Sequence, residues 1–444
     1  MPAQSAQARP RVCFVTLGCA KNEVDSANMK RRVLAAGFCL EEDPAQADAV
    51  VVNTCSFIQA ATEESLEAIF EIAGLENFER GDAKLVVAGC MPARYGDDLA
   101  AELTEASEFV PCSKEDDIAA ILCKILPDAE GAMHDTALAA DAEPVRDVDG
   151  QPSAYVKISD GCDRFCSYCT IPFIRGRYRS FAREEILAEV ARQVSAGTRE
   201  IVFIAQDTGR WGDDFEKPST LASLLADAAE AFPHTWFRVM YIQPEGVTDE
   251  LLSCVADHEN IASYFDIPLQ HADADILRAM NRRGSREEYE ALVARIRQMV
   301  PGALVRTTLI AGFPGETEEQ FETLCDFVEE ADLDYVGVFP YSQEDGTRAA
   351  RMDGQIDDDI KQERAQTLRD LADASSTARV AQRVGQEMDV LVLGREEDGQ
   401  LYGRARCQAP DVDGVVYLDG GNPGDVVRVR IVDTLLYEME GELL

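Results

Sequence analysis

Residues 11–127 alternate short unbroken apolar runs with stretches whose apolar residues recur at helical spacing. The runs VCFVTL (12–17), AVVVN (49–53) and KLVVAG (84–89) lack polar alternation, which marks strands buried on both faces of a parallel sheet. Residues 22–36 and 57–73 carry the helical period between them, so the pattern predicts a small open α/β sheet over 11–127. From 128 to 152 the chain is acidic, short of large apolar residues and aperiodic, and reads as a linker. Six strand-like runs follow: AYVKIS (154–159), EIVFIA (200–205), WFRVMYI (236–242), YFDIPL (264–269), LVRTTLI (304–310) and YVGVFP (335–340). Helical patterns at 182–196, 218–231, 285–298 and 317–331 separate most of them. Repeated βα units build a parallel sheet that curls toward a barrel, and six of them predict an open, partial (β/α)6 barrel over 153–378. After a helix ending near 378, short strands and turns such as DGG and NPGD predict a small antiparallel β-barrel at 380–444. The expected class is α/β, with three regions.

Composition narrows the setting. The 444 residues hold no apolar run long enough for a membrane span, and MPAQSAQARPRV lacks the apolar stretch of a signal peptide, so a cytoplasmic protein without a membrane partner is expected. Thirteen cysteines in that compartment point to metal or catalysis rather than disulfides. With 82 acidic against 42 basic residues the formal charge is −40, a field that repels nucleic-acid phosphates and attracts basic partners.

Two groups of cysteines carry the chemistry. Cys19 in TLGCAKN, Cys55 in VNTCSF and Cys90 in VAGCMP each follow one of the three predicted N-terminal strands. The carboxyl ends of strands form the ligand-binding edge of an open α/β sheet, so three cysteines there can converge on one metal site. Any one alone would read as a small core residue. Cys162, Cys166 and Cys169, in GCDRFCSYCTIPFIRGRYRS, have the spacing C-x-x-x-C-x-x-C just after the first strand of the partial barrel. Structural zinc usually takes four ligands, whereas a four-iron cubane held by three thiolates keeps one iron open to a small molecule.

The second spacing, with the aromatic Tyr168 before its third cysteine, resembles the signature of the radical S-adenosylmethionine (SAM) superfamily. The resemblance implies that Cys162, Cys166 and Cys169 hold a 4Fe–4S cluster whose open iron binds SAM and splits it to a 5′-deoxyadenosyl radical. A three-cysteine N-terminal domain, such a core and a C-terminal TRAM-like barrel together resemble the methylthiotransferases over nearly the whole chain. That implies a second 4Fe–4S cluster on Cys19, Cys55 and Cys90, and two uses of SAM: one methylates sulfur carried at this cluster, the other yields the radical. One branch of the family modifies an adenosine of tRNA, the other the β-carbon of an aspartate in protein twelve of the small ribosomal subunit. TLGCAKNEVDS resembles LGCPKNxVDS of the second branch, departing at Ala20, rather than the GCQMN-like run of the first. Residues 380–444 hold six arginines and no lysine against thirteen acidic residues, a net charge of −7, which suits a basic ribosomal protein and argues against stable tRNA binding. A sulfur donor and an electron donor, both of unknown identity, are implied as partners.

Supporting residues are expected at the ends of the core strands: Gln206 and Asp207 after the second, Gln270 and His271 after the fourth, Arg306 in the fifth. Gly312 and Gly315 in GFPGETEEQF free the backbone of a loop whose amides can face SAM, and Thr317 with Gln320 forms a capping box behind it. Arg175, Arg177 and Arg179 either hold an anion or pair with the acidic surface, the second being favoured. The remaining cysteines, Cys13, Cys39, Cys112, Cys123, Cys254, Cys325 and Cys407, share no spacing and read as packing or surface residues. Two rival functions are tRNA adenosine methylthiolation and a non-catalytic iron–sulfur carrier or redox sensor. The second would normally complete each cluster with a fourth protein ligand.

Overall fold

The structure, a computed structural model, describes residues 9–126, 145 and 148–444. Of the expected linker at 128–152, residues 128–144, 146 and 147 lie outside the described residues. The chain divides into two compact units. The first runs to Val148 and adds Gly161–Asp163 and Cys169–Tyr178; the second holds Asp149–Asp160, Arg164–Tyr168 and Arg179–Leu444.

The first unit is built on a five-stranded parallel sheet, β1 (Arg11–Thr16), β2 (Cys39–Leu40), β3 (Ala49–Thr54), β4 (Lys84–Gly89) and β5 (Glu108–Pro111), in the order β2-β1-β3-β4-β5. The apolar runs are continuous because both faces are covered. Val51 and Val86 pack with Met29, Val33, Ile118 and Leu122 of the helices Ala20–Ala35 and Ile118–Ile125, while Val50, Val52 and Val87 pack with Ile69, Ile72 and Met91 of the helices Gln59–Ala73 and Cys90–Glu102. β2 and β5, of two and four residues, are too short to leave a pattern in the sequence.

The second unit carries six parallel strands in chain order, β6 (Ser153–Lys157), β9 (Glu200–Ile204), β10 (Trp236–Val239), β11 (Tyr264–Asp266), β12 (Leu304–Ala311) and β13 (Tyr335–Pro340). A short antiparallel pair, β7 (Ser159–Asp160) and β8 (Arg179–Ser180), brackets the three-cysteine stretch. The two halves β6-β9-β10 and β11-β12-β13 are joined where Phe237 N donates to Asn260 O at 2.8 Å and Ile242 N to Asp266 O at 2.9 Å. This is the open (β/α)6 arrangement, and the apolar side chains of strands and helices fill it as one core.

After the helix Asp358–Ala381, five strands close a barrel: β14 (Glu387–Arg395), β15 (Leu401–Ala405), β16 (Val416–Leu418), β17 (Val426–Leu435) and β18 (Glu438–Leu443), in the order β14-β15-β16-β18-β17. The barrel is not wholly antiparallel as the turn pattern suggests, because β16 and β18 run parallel. An odd number of strands cannot alternate direction all the way round a closed ring, so one neighbouring pair must agree. No helix among the described residues is long and apolar enough to cross a membrane.

The barrel docks at the N-terminal ends of the core strands. Glu200, the first residue of β9, accepts from Arg238 Nε at 3.0 Å and also pairs with Arg404 of β15. All three side chains are buried. Burial alone would push the Glu200 carboxyl up, but Arg404 and Arg238 outweigh it and bring it down to about 2. Beside this triad, Asp413 of the barrel binds the Tyr264 hydroxyl and lies 3.7 Å from Arg306 Nε. The end of the sheet away from the strands' carboxyl termini is therefore a structural joint built on buried ion pairs.

Candidate functional site

Sheet register assembles the first site. Thr16 is paired with Asn53, Thr54 with Gly89, and Gly89 with Pro111, so the residues just beyond the strand ends form a row: Gly18, Cys55, Cys90 and Cys112. Cys19 follows Gly18 and starts the helix Ala20–Ala35. Cys55 and Cys90 are buried and Cys19 is exposed, leaving one side of the row open. Two glycines permit this close approach. A Cβ on Gly18 (φ +95°) would lie 2.5 Å from Cys55 Cβ, and one on Gly89 (φ +92°) would lie 2.3 Å from Asn53 Oδ1. Asn22 ties the loops together, donating from Nδ2 to Leu17 O and Thr54 O at 2.9 Å each, and Ser65 Oγ holds Cys55 by accepting from its N–H at 3.1 Å.

A cation sits in this row. Arg175 is almost fully buried and donates to Asp25 Oδ2 at 2.6 Å, Asn22 Oδ1 at 2.9 Å and Cys90 Sγ at 3.7 Å. It is therefore a member of the thiol site and not a surface partner for the acidic exterior. The neighbouring Cys112 thiol, together with the Arg175 charge, outweighs burial and brings the Cys90 thiol down to about 6. Burial raises Cys55 to about 11, and the charges of Cys90 and Cys19 add to the rise. Cys112 was expected to be a packing or surface residue. It belongs to this row, so a fourth cysteine does stand beside the first site.

The second site begins from the stretch between β7 and β8. Cys162, Cys166 and Cys169 are half-buried, and the chain turns through positive φ at Gly161 (+75°) and Phe165 (+49°). The two units share this stretch. In the first, Cys162 N donates to Gly176 O at 3.1 Å, and Thr170 Oγ1 to Phe57 O at 3.2 Å. In the second, Cys166 Sγ accepts from Arg282 Nη1 at 3.8 Å, and Tyr168 packs against the cluster of Met280, Phe313 and Tyr341. Arg282 also donates to Pro268 O at 2.5 Å, while its buried Nε has no protein partner. Nothing in the sequence pattern singled out Arg282; only folding brings MNRRG beside the cysteine loop.

The other expected residues divide. Gln206 and Asp207 follow β9 at its carboxyl end; Gln206 Oε1 and Asp207 Oδ1 are buried without a protein partner, while Asp207 Oδ2 accepts from Arg164 Nε at 2.5 Å. Burial pushes the Asp207 carboxyl up despite Arg164. Gln270 occupies the left-handed region (φ +75°), its N–H donating to Thr308 O at 2.8 Å. His271 is spent on structure: its Nδ1 accepts from Asp273 N at 3.0 Å, which leaves Nε2 to donate to Glu316 Oε2 at 3.2 Å. Glu316 also takes the Gly312 amide at 3.1 Å and Arg364 Nη1 at 2.7 Å, and Gly315 N donates to Gly354 O at 2.9 Å. Both glycine amides thus serve the loop itself and have no hydrogen left for a ligand. Arg306 lies in the first half of β12, bound to Asp266 Oδ1 at 2.9 Å in the barrel joint, away from the strand ends where a cofactor pocket was expected.

The donor sets suit iron–sulfur clusters. Among the described residues, no three His, Cys, Asp or Glu side chains are grouped as ligands of one metal ion. A cubane does not require that, because each cysteine binds a different iron and the sulfurs stand further apart than ligands sharing one ion. A guanidinium donating to one sulfur at each site, Arg175 to Cys90 and Arg282 to Cys166, is the kind of surrounding that stabilises a cluster's thiolates.

Comparison with known proteins agrees with this layout. The chain matches the family described as Uncharacterized protein family UPF0004 over residues 11–110, the radical SAM superfamily over 156–328 and the TRAM domain over 384–444. It is 39% identical over 448 residues to ribosomal protein uS12 methylthiotransferase RimO of Geobacter sulfurreducens, covering 99% of this chain and 100% of that protein. The RimO of Desulforamulus reducens is 40% identical, with 98% and 99% covered. Among solved structures, the radical SAM methyltransferase TsrM from Kitasatospora setae superposes with a TM-score of 0.53 at 16% identity, covering 75% of this chain and 72% of that one. The cobalamin-dependent SAM radical enzyme OxsB gives 0.52 at 13%, with 82% and 56% covered. At such identities the likeness is one of fold.

Proposed function

Because the chain belongs to the family of ribosomal protein uS12 methylthiotransferases RimO, we propose that it replaces a hydrogen on the β-carbon of an aspartate in that ribosomal protein by a methylthio group. The reading assigns one 4Fe–4S cluster to Cys162, Cys166 and Cys169 and a second to Cys19, Cys55 and Cys90. When bound, the clusters and SAM supply the electron transfer, radical and methyl-transfer chemistry that exchanges a C–H for a C–S bond. The chain's own residues hold and shield these groups. Gly18 and Gly89 let the N-terminal loops close on the sulfurs, and Arg175 balances thiolate charge in a buried place where uncompensated negative charge would be costly. Arg282 does the same for Cys166. The unsatisfied oxygens of Gln206 and Asp207 supply acceptors at the strand ends.

The single observation that carries the reading is the cysteine row at the carboxyl edge of the first sheet, set there by strand register in a chain that also holds C-x-x-x-C-x-x-C. An acidic groove supports the basic protein substrate. A cavity of about 500 Å³ on the barrel is lined by Glu396, Asp398, Asp419, Glu440 and Glu442, with Tyr417 among them. Asp413, by contrast, is buried in the barrel joint and takes no part in that surface.

Competition tests the reading. Anaerobically reconstituted chain, SAM, a sulfide source and reductant are offered the ribosomal protein and unmodified tRNA together. A methylthio mass gain on the aspartate with none on tRNA is expected; gain on tRNA adenosine alone would overturn it.

A further inference from the structure

Cys112 is the member of the row that the proposed function does not use. Its place follows from register: Gly89 and Pro111 are partners at the ends of the parallel pair β4-β5, and Cys90 and Cys112 are the residues that follow them, each opening a helix. Adjacent strands lie about 4.8 Å apart, inside the roughly 4.4–6.8 Å window of Cα separations that a disulfide spans. Cys112 follows the edge strand β5, beside Cys90, and Cys55 follows β3 on the other side of Cys90. Among the described residues Cys90 is thus the sulfur shared between a proposed cluster triad and a second thiol partner.

We propose that Cys90 and Cys112 form a reversible disulfide when the first site holds no cluster, and that this bond and cluster loading exclude each other. Cys90 attacks a low-molecular-weight disulfide; one of its sulfurs stays on Cys90, and the other leaves as a thiol carrying the Cys90 proton. Cys112 then attacks that Cys90 sulfur, and the second small thiol leaves with the Cys112 proton. The chain's two thiols are oxidised by two electrons and the small disulfide is reduced to two thiols. With Cys90 bound in this way, only Cys19 and Cys55 remain for a cluster. The bond protects Cys90 from irreversible oxidation while iron is absent, and thiol reductant restores the ligand.

The test uses the full-length chain freed of iron by chelation, with glutathione disulfide as oxidant, followed by alkylation and peptide mass mapping. A Cys90–Cys112 linked peptide is expected, lost on adding dithiothreitol and absent when the cluster-loaded chain is treated alike. Iron loading without thiol reductant should fall by about half in the oxidised wild type, one of two four-iron clusters. It should stay unchanged in Cys112→Ser and Cys112→Ala. Linkage of Cys90 to Cys55 or Cys19, full alkylation of Cys112 after oxidation, or a Cys90–Cys112 bond that leaves iron loading untouched would each overturn the proposal. Because the linkage is read on wild-type protein without substrate, its failure is distinct from failure of the methylthiotransferase reading.

Discussion

The two cysteine triads reach similar surroundings by opposite routes. Cys162, Cys166 and Cys169 are close because they are close in sequence, so their geometry survives almost any arrangement of the rest of the chain. Cys19, Cys55 and Cys90 are far apart in sequence and meet because β1, β3 and β4 are adjacent and in register. The first triad is a local motif and the second a property of a folded sheet. Each has recruited one guanidinium to one sulfur, Arg282 to Cys166 and Arg175 to Cys90, from outside its own triad. The difference teaches that the local site should tolerate damage to the sheet, while the assembled site should fail with it.

The sharpest break is at the local motif. Replacing Cys162, Cys166 and Cys169 by Ala should abolish 5′-deoxyadenosine formation from SAM and remove about half the iron, leaving a chain that still loads its first site. Chromatographic assay of the nucleoside, with iron analysis, checks this.

Next in size is a change remote from both sites. Glu200→Gln leaves Arg238 and Arg404 buried without a charge partner, and should lower stability by about 3–5 kcal/mol in denaturant unfolding. The pH dependence has a definite sign. The folded carboxyl sits at about 2, below its ordinary 4.5, so its stabilisation is present above 4.5 and lost as pH falls toward 2. The variant should lack this loss across that window. Iron content per folded chain should not change, because the triad belongs to the strands' N-terminal ends.

Gly18→Ala addresses the assembled site alone. The new methyl would meet Cys55 Cβ at 2.5 Å from a backbone at φ +95°, a strain of about 1–3 kcal/mol. Iron at the first site should be reduced while SAM cleavage persists, a split that a general folding defect would not give. The smallest effect is expected at the acidic groove. Glu440→Gln with Glu442→Gln should weaken binding of the ribosomal protein several-fold at low ionic strength, with the difference fading as salt screens the charges. Titration at two salt concentrations checks it.

Much of this was legible in the sequence, for physical reasons that also explain the misses. β3, β4, β9, β10 and β11 were readable because strands buried on both faces cannot hide their composition, and β12 because its buried positions alternate. Cys112 was missed because its strand, EFVP, is four residues long and opens on a glutamate, so nothing marked its end as a place where ligands gather. Arg175 was read as a surface charge because spacing cannot show that a following turn folds back on Asp25 and Cys90. Arg306 was correctly put in the fifth strand as a pocket residue, but its third position in β12 faces the barrel joint. Gly312 and Gly315 do supply a tight loop, yet Glu316 and Gly354 take the amides.

The central claim is that sheet register builds a second cluster site out of Cys19, Cys55 and Cys90. Iron analysis of anaerobically reconstituted Cys19→Ala, Cys55→Ala, Cys90→Ala triple variant, with 5′-deoxyadenosine measured on the same sample, tests it most directly. The account predicts loss of about half the iron with SAM cleavage retained; iron equal to wild type would contradict it.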